Sequence, residues 1–225
     1  MAEASHALKL RLDTETEVPL HMAIIAGWTG RDRVALEKHI AELEELGVKR
    51  PPSTPVFYRV SASRLSTAPV MEACGAASSG EVEFVLLKHG GRLWVGVGSD
   101  HTDREVETYN ITVSKQMCDK PVAPEFWDME SVAGHWDRLV LRSFVVEKGR
   151  RVLYQEGSVA SMLSPDELLG RWGRDFTDGS VMFCGTLAAH GGIRAADRFE
   201  YELEDPVTGR RLAHAYTVSS LPMSG

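Results

Sequence analysis

A chain of 225 residues, 43% of them hydrophobic and 25% charged, has the balance of a folded globular protein that buries a sizeable core in one main domain. A net charge of −7, with no basic cluster longer than the arginine pairs at Arg150-Arg151 and Arg210-Arg211, argues against a nucleic-acid partner. Cys74, Cys118 and Cys184 form neither a disulfide framework nor a zinc motif, which points to a reducing cytoplasm. The first residues lack the apolar core of a signal peptide, and no run approaches the roughly 18 apolar residues needed to span a bilayer.

In chain order, residues 8–12 and 18–26 read as two short strands with a turn around Asp13 to Glu17. Residues 1–30 are expected to form a small N-terminal β segment packed on a main domain of residues 31–225. A helix follows from Arg33 to Leu46, with Val34, Leu36, Ile40, Leu43 and Leu46 apolar and Gly47 as its stop. Within it His39 and Glu42 lie three apart and share a face. A carboxylate beside an imidazole raises its pKa and fixes its tautomer, as a water-activating base requires, while an exposed surface ion pair explains the same spacing. The proline-rich run from Arg50 to Pro55 reads as an extended connector into a strand at 56–60.

Gly80 to Arg104 carries the strongest local signal. Glu81 and Glu83 sit one residue apart in EVEFVLL, a strand-like run whose period of two sends both carboxylates to one face. A hairpin turn at His89-Gly90-Gly91 and the returning LWVGVG bring Asp100 toward them. Clustered carboxylates repel one another and take up protons unless a cation neutralises them, and oxygen-only ligands select magnesium, calcium or manganese over zinc. An exposed acidic edge that resists aggregation accounts for the same pattern.

Glu105 to Val113 leaves helix and strand both open, and Ser114 to Pro124, with its two prolines, reads as a loop in which Lys115 has no local reason to be anything but solvated. A second hairpin is expected over 137–157 with its turn at Glu147 to Gly149. Ser164-Pro165-Asp166-Glu167 is a capping box opening a short helix. A turn at Thr177 to Gly179 leads into a buried strand and then a glycine-bearing loop, Gly185 to Ile193, that lets a ligand approach backbone amides. Glu200, Glu202 and Glu204 read as the solvated face of a strand paired with the last one. Gly-x-Ser-x-Gly, P-loop, dinucleotide-fold and Cys-x-x-Cys signatures are absent, and His101 and His135 read as structural histidines.

Taken together, these signals resemble the fumarylacetoacetate hydrolase family in their order. That family shows a helix-borne His-x-x-Glu, a proline-rich link into a strand, Glu-x-Glu, Asp-x-Ser-x-Arg-Asp, a lysine ahead of Pro-x-Gly-Pro, and a late Gly-Asp-x-x-x-x-Gly-Thr. The matching stretches here are His39 to Glu42, Pro51 to Phe57, Glu81 to Glu83, Asp100 to Glu105, Lys115 to Pro124 and Asp178 to Thr186. The interval from Glu83 to Asp100 is shorter than the family's, Ala123 replaces a glycine, Asp178-Gly179 inverts Gly-Asp, and Leu187 follows Gly-Thr where proline is usual. The sequence looks closest to a divergent bacterial branch.

The resemblance implies a β-rich α+β fold, a mixed β-roll or β-sandwich of the fumarylacetoacetate hydrolase type with a few short peripheral helices, commonly a homodimer. It implies magnesium or manganese, with calcium as a third candidate, held by Glu81, Glu83 and Asp100. It further implies an enzyme hydrolysing a carbon–carbon bond in a small anionic acylpyruvate-like 2-oxoacid, with His39 and Glu42 activating water and Lys115 stabilising an enolate. Arg31, Arg104, Gln155 and Thr186 are candidate substrate contacts. Decarboxylase, isomerase or hydratase activity on the same fold, or metabolite binding without catalysis, are the alternatives.

Overall fold

The computed structural model describes residues 6–45 and 50–224, apart from the side chains of His39, Glu42 and Leu43. Strands β1 (His6–Arg11) and β2 (Glu15–Leu20) form a separate antiparallel hairpin. The remaining longer strands are β3 (Met22–Gly27), β4 (Val56–Val60), β5 (Val70–Cys74), β6 (Val82–His89), β7 (Arg92–Ser99), β8 (Val140–Glu147), β9 (Arg150–Ser158), β10 (Ser180–Phe183), β11 (Arg198–Asp205) and β12 (Arg210–Leu221). The short helices α1 (Arg33–Glu45), α2 (Arg104–Tyr109), α3 (Ile111–Met117), α4 (Glu130–Ala133) and α5 (Pro165–Trp172) lie between them.

One six-stranded sheet runs Trp127–Asp128, β7, β6, β10, β3, β4, and a five-stranded sheet runs β9, β8, β11, β12, β5. Both are mixed: β10 pairs parallel with β3, and β12 parallel with β5. The fold is thus β-rich α+β, as expected.

Strand β6 shows why the six-stranded sheet is buried on both sides. Its alternate residues Val82, Phe84 and Leu86 join Leu141, Phe199 and Leu203 in the core between the sheets. Val85 and Leu87 turn the other way, into a second core closed by Leu10, Val18 and Leu20 of the β1–β2 hairpin. Burial on both faces accounts for a nearly continuous apolar run in a strand whose period is two. At its end Gly90 and Gly91 both have positive φ, 61° and 72°, the pair of left-handed residues that a two-residue type I′ hairpin demands. The short interval between Glu83 and Asp100 is therefore taken up by the rest of β6, a tight turn and the whole of β7.

Four expectations need correcting. The run 18–26 is two strands, because the chain leaves the β1–β2 hairpin at Leu20 and enters the large sheet at Met22, with His21 N–H donating to the Gly179 carbonyl across the break. The loop expected over 114–124 begins as helix: α2 and α3 are capped in turn by Asp103 and Asn110, whose side chains accept from the amides of Val106 and Val113. Each is too short to print a helical period. In α1, Ile40 is buried as expected but Val34 is exposed, while Leu46 and the Gly47 stop lie outside the described residues. Glu202 is not solvated: β11 lies inside its sheet, and Arg142 on β8 and Arg211 on β12 each stand 3.3 Å from the buried carboxylate.

Candidate active site

The β6–β7 hairpin assembles the acidic cluster. Ser99 pairs with Val82, and the Asp100 amide donates to the Glu81 carbonyl at 2.9 Å, so the returning strand sets Asp100 beside Glu81. Alternation places Glu81, Glu83 and Asp100 on one face. Gly98 stands opposite Glu83, where a Cβ would come within 2.9 Å of the Pro121 carbonyl, so only glycine lets that segment close over the hairpin. The three carboxylates line a cavity of about 660 Å³.

Helix α3 brings Lys115 to them. Its buried ammonium donates to Asp100, and Glu107 of α2 stands 4.0 Å away. A second ammonium, Lys120, is fully buried; it donates to the His101 carbonyl and lies 3.2 Å from the other Asp100 oxygen. Arg104 backs the cluster, 3.2 Å from Glu81, and donates to Ser79 and Glu107. From the far side, the Gly185 amide donates to Glu83 at 2.7 Å.

These contacts divide the acids. Burial pushes the Glu83 carboxyl well above its ordinary pKa and the charge on Asp100 adds to the rise, against the pull of the Gly185 amide. Burial also raises Glu81, with Arg104 opposing. Asp100 goes the other way: burial would raise it, but Lys115 and Lys120 hold it well below the usual carboxylate range. Lys115 is raised despite its burial by Asp100 and Glu81, whereas burial lowers Lys120. His101 is held down to about 3 by burial and by Lys120, and its Nδ1 is 2.7 Å from the Tyr216 hydroxyl, so it serves as a neutral structural histidine.

Among the described residues no three His, Cys, Asp or Glu side chains converge as a ready-made metal cage. Asp100 is engaged by two ammoniums and Glu81 by a guanidinium. The donor chemistry still fits a hard divalent cation: three carboxylates share one cavity, burial drives two of them toward protonation, and among the described residues no imidazole or thiol lines the cavity with them.

Of the expected substrate contacts, Gln155 and Thr186 line the cavity. Gln155 is locked in place: its carbonyl oxygen accepts from the Val82 amide and the Ser143 hydroxyl, and its amide donates to the Thr186 hydroxyl and the Leu187 carbonyl. Arg104 acts on Glu81 from behind. Arg31 is a correction, since it donates to the Met162 carbonyl and Asp137, each at 2.9 Å, and lines a neighbouring cavity beside the start of α5. His39 and Glu42 sit on α1, whose Leu36 lines the site cavity, but their side chains lie outside the described residues. Sequence reasoning missed Lys120 and two further residues that line the cavity, Trp28 and Tyr58. No local pattern tells a buried lysine from a surface one; Gly185, by contrast, was visible as the glycine after a buried strand.

The family model described as "Protein of unknown function (DUF2848)" matches residues 26–216. No curated protein matches the chain in sequence. Solved structures do match in fold. A protein named as a fumarylacetoacetate isomerase/hydrolase from Oleispira antarctica is 19% identical, with a TM-score of 0.67 over 94% of this chain and 100% of that one. A fumarylacetoacetate hydrolase family protein from Yersinia pestis is 16% identical, with a TM-score of 0.66 over 94% and 100%. A 2-keto-3-deoxy-D-arabinonate dehydratase complexed with magnesium and 2,5-dioxopentanoate is 15% identical, with a TM-score of 0.62 over 90% and 74%. No helix among the described residues is long and apolar enough to cross a membrane. The chain belongs to the DUF2848 family, and it has the fumarylacetoacetate hydrolase fold.

Proposed function

We propose that the protein is a divalent-metal-dependent enzyme that hydrolyses a carbon–carbon bond in a small acylpyruvate-like 2-oxoacid. The observation that carries this reading is the buried carboxylate and lysine cluster opening onto one cavity. The fold's occurrence in a dehydratase complexed with magnesium and 2,5-dioxopentanoate supports it. Glu81, Glu83 and Asp100 would hold magnesium or manganese. Such an ion, when bound, supplies Lewis acidity toward a keto oxygen.

The chain's own residues do the rest. Lys115, pinned on Asp100 and kept cationic, attracts the anionic end of the substrate and opposes the negative charge that develops during cleavage. Gln155 and Thr186, with every side-chain partner fixed, form a rigid wall against which the oxoacid is oriented. His39, with Glu42 one turn further along α1, takes a proton from water as the water oxygen adds to the second carbonyl carbon. The carbon–carbon bond then breaks, its electron pair stays on the 2-oxoacid fragment as an enolate facing Lys115, and a proton returns to that carbon.

Mass-spectrometric assay of acylpyruvates with magnesium or manganese tests the reading. Cleavage is expected, with His39→Ala losing about 10²- to 10⁴-fold in kcat. Absence of any cleavage product, or full turnover by His39→Ala, overturns it.

A further inference from the structure

Apolar side chains share the cavity with the carboxylates. Leu36 of α1, Ile111 at the start of α3, and Leu187, Ala188, Ala189 and Ile193 of the loop after β10 line it. Trp28 and Tyr58 line the same cavity. Trp28 has a φ of 59°, a left-handed conformation that a bulky residue rarely adopts, and its side chain hydrogen-bonds the Tyr58 hydroxyl. The Tyr58 ring in turn faces Lys115, whose Nζ is 5.9 Å from the ring centroid. A left-handed backbone at Trp28 and a hydrogen bond between the two side chains thus join Trp28 to the Tyr58 ring, which faces the Lys115 ammonium.

Among the described residues, the ionisable carboxylates and bases lining the cavity are Glu81, Glu83, Asp100 and Glu107 against Lys115 alone, and Lys115 serves the oxoacid head group in the reading above. The nearby guanidiniums are spent elsewhere. Arg104 lies behind Glu81, Arg31 is on Asp137, and Arg194 is held by Glu147 and the carbonyls of His190 and Gly192. A second carboxylate on a ligand would meet apolar side chains or Glu107, with no further cation among the described lining residues to repay its desolvation. A volume of about 660 Å³ leaves space beyond an oxoacid head group.

We propose that the substrate is a monoanionic 2-oxoacid whose far end is a neutral, apolar acyl group packed against Ile193, Leu187 and the Trp28–Tyr58 pair, and not a dicarboxylate. This rests on the functional reading above, which supplies the oxoacid head group. The proposal adds the chemistry of the tail.

Three oxoacids that lack a second keto group, and so are not cleaved, separate the two. They are 2-oxobutanoate, 2-oxooctanoate and 2-oxooctanedioate, titrated calorimetrically into the manganese-loaded full chain. 2-Oxooctanoate, a monoanion with a neutral tail, is expected to bind at least about tenfold tighter than either of the others, a difference set by burial of its methylenes and the missing counter-charge. Equal or tighter binding of 2-oxooctanedioate, or no gain of 2-oxooctanoate over 2-oxobutanoate, overturns the tail assignment and leaves the head-group reading standing. Failure of all three to bind overturns both. Ile193, 55% exposed in its loop, accepts a charged replacement without disturbing the core. Ile193→Arg is expected to tighten 2-oxooctanedioate by about tenfold through the new ion pair, and an unchanged affinity in the folded variant removes the loop from the tail site.

Discussion

The ammonium of Lys120 lies 3.2 Å from Asp100, and neither side chain is more than 2% exposed. With Lys115 on its other oxygen, Asp100 is a buried anion held between two buried cations. Such an arrangement is costly to break by halves, because removing one partner strands the other's charge away from water. Lys120→Met removes one cation and also the donor to the His101 carbonyl. It is expected to lower unfolding stability by about 3 kcal/mol in urea titrations. A loss under about 0.5 kcal/mol would mean that Lys115 alone satisfies Asp100.

Glu83 offers the opposite electrostatics. Its pKa is raised from 4.5 by burial and by Asp100, so between that value and its raised one the folded chain holds a proton that the unfolded chain releases. Stability therefore falls as pH rises through that window, by at most about 1.4 kcal/mol per pH unit for one group. Glu83→Gln is expected to flatten the slope on the alkaline side of the ordinary value of 4.5 in EDTA, and saturating manganese to flatten it in the parent by favouring the ionised carboxylate. Identical slopes for parent and variant in EDTA would show that Glu83 titrates normally. In the same preparations a Glu81→Gln/Glu83→Gln double variant should lose at least about 100-fold in manganese affinity, and unaltered binding would end the metal assignment.

Gly185 couples the loop after β10 to the acids. Its φ is 99°, and a Cβ there would lie 1.8 Å from the Thr29 hydroxyl. Gly185→Ala must therefore shift both the loop and the 27–30 segment, and with them the amide that donates to Glu83. The expected cost is about 2 kcal/mol or more, since backbone strain and overlap add. Pairing it with Thr29→Gly should recover only part of that loss, because removing the hydroxyl does not relieve the φ. Complete recovery of the melting temperature by the double variant would assign the whole effect to the clash.

How far the site could be read from the sequence follows the range of each interaction. Glu81, Glu83 and Asp100 were visible because their approach depends on one hairpin, whose alternation and Gly90-Gly91 turn are local. Gln155 and Thr186 were legible through the resemblance alone, since one lies on β9 and the other in the loop after β10. Lys120 was invisible, since its burial is imposed by the hairpin beneath it and by nothing in its neighbours. Arg31 misled for the related reason that closeness in sequence to a cavity-lining segment does not fix direction: Asp137, 106 residues away, takes its guanidinium. Helix α3 was hidden by its length, and the arginines that cover Glu202 come from neighbouring strands whose register only the folded sheet supplies.

Asp205 ends β11 and organises the hairpin into β12. Its carboxylate accepts from the amides of Val207 and Thr208 and the Thr208 hydroxyl, with His135 3.0 Å away, and its side chain is fully buried. Burial alone would raise its pKa, but Thr208, His135 and the two amides outweigh it and hold the carboxyl well below its ordinary value of 3.8. A depressed carboxylate lends stability that is fully present above its unfolded pKa and drains away as pH falls toward the folded one. Asp205→Asn keeps the shape but loses the charge and exchanges an acceptor for a donor facing amide N–H groups. It is expected to lower stability by about 1.5–3 kcal/mol at neutral pH. The gap from the parent should narrow below about pH 4, where the parent begins to lose the same contribution. Urea midpoints at neutral pH and near pH 3 measure both terms, and a gap that stays constant across that range would show that the hairpin depends on the shape of Asp205 and not on its charge.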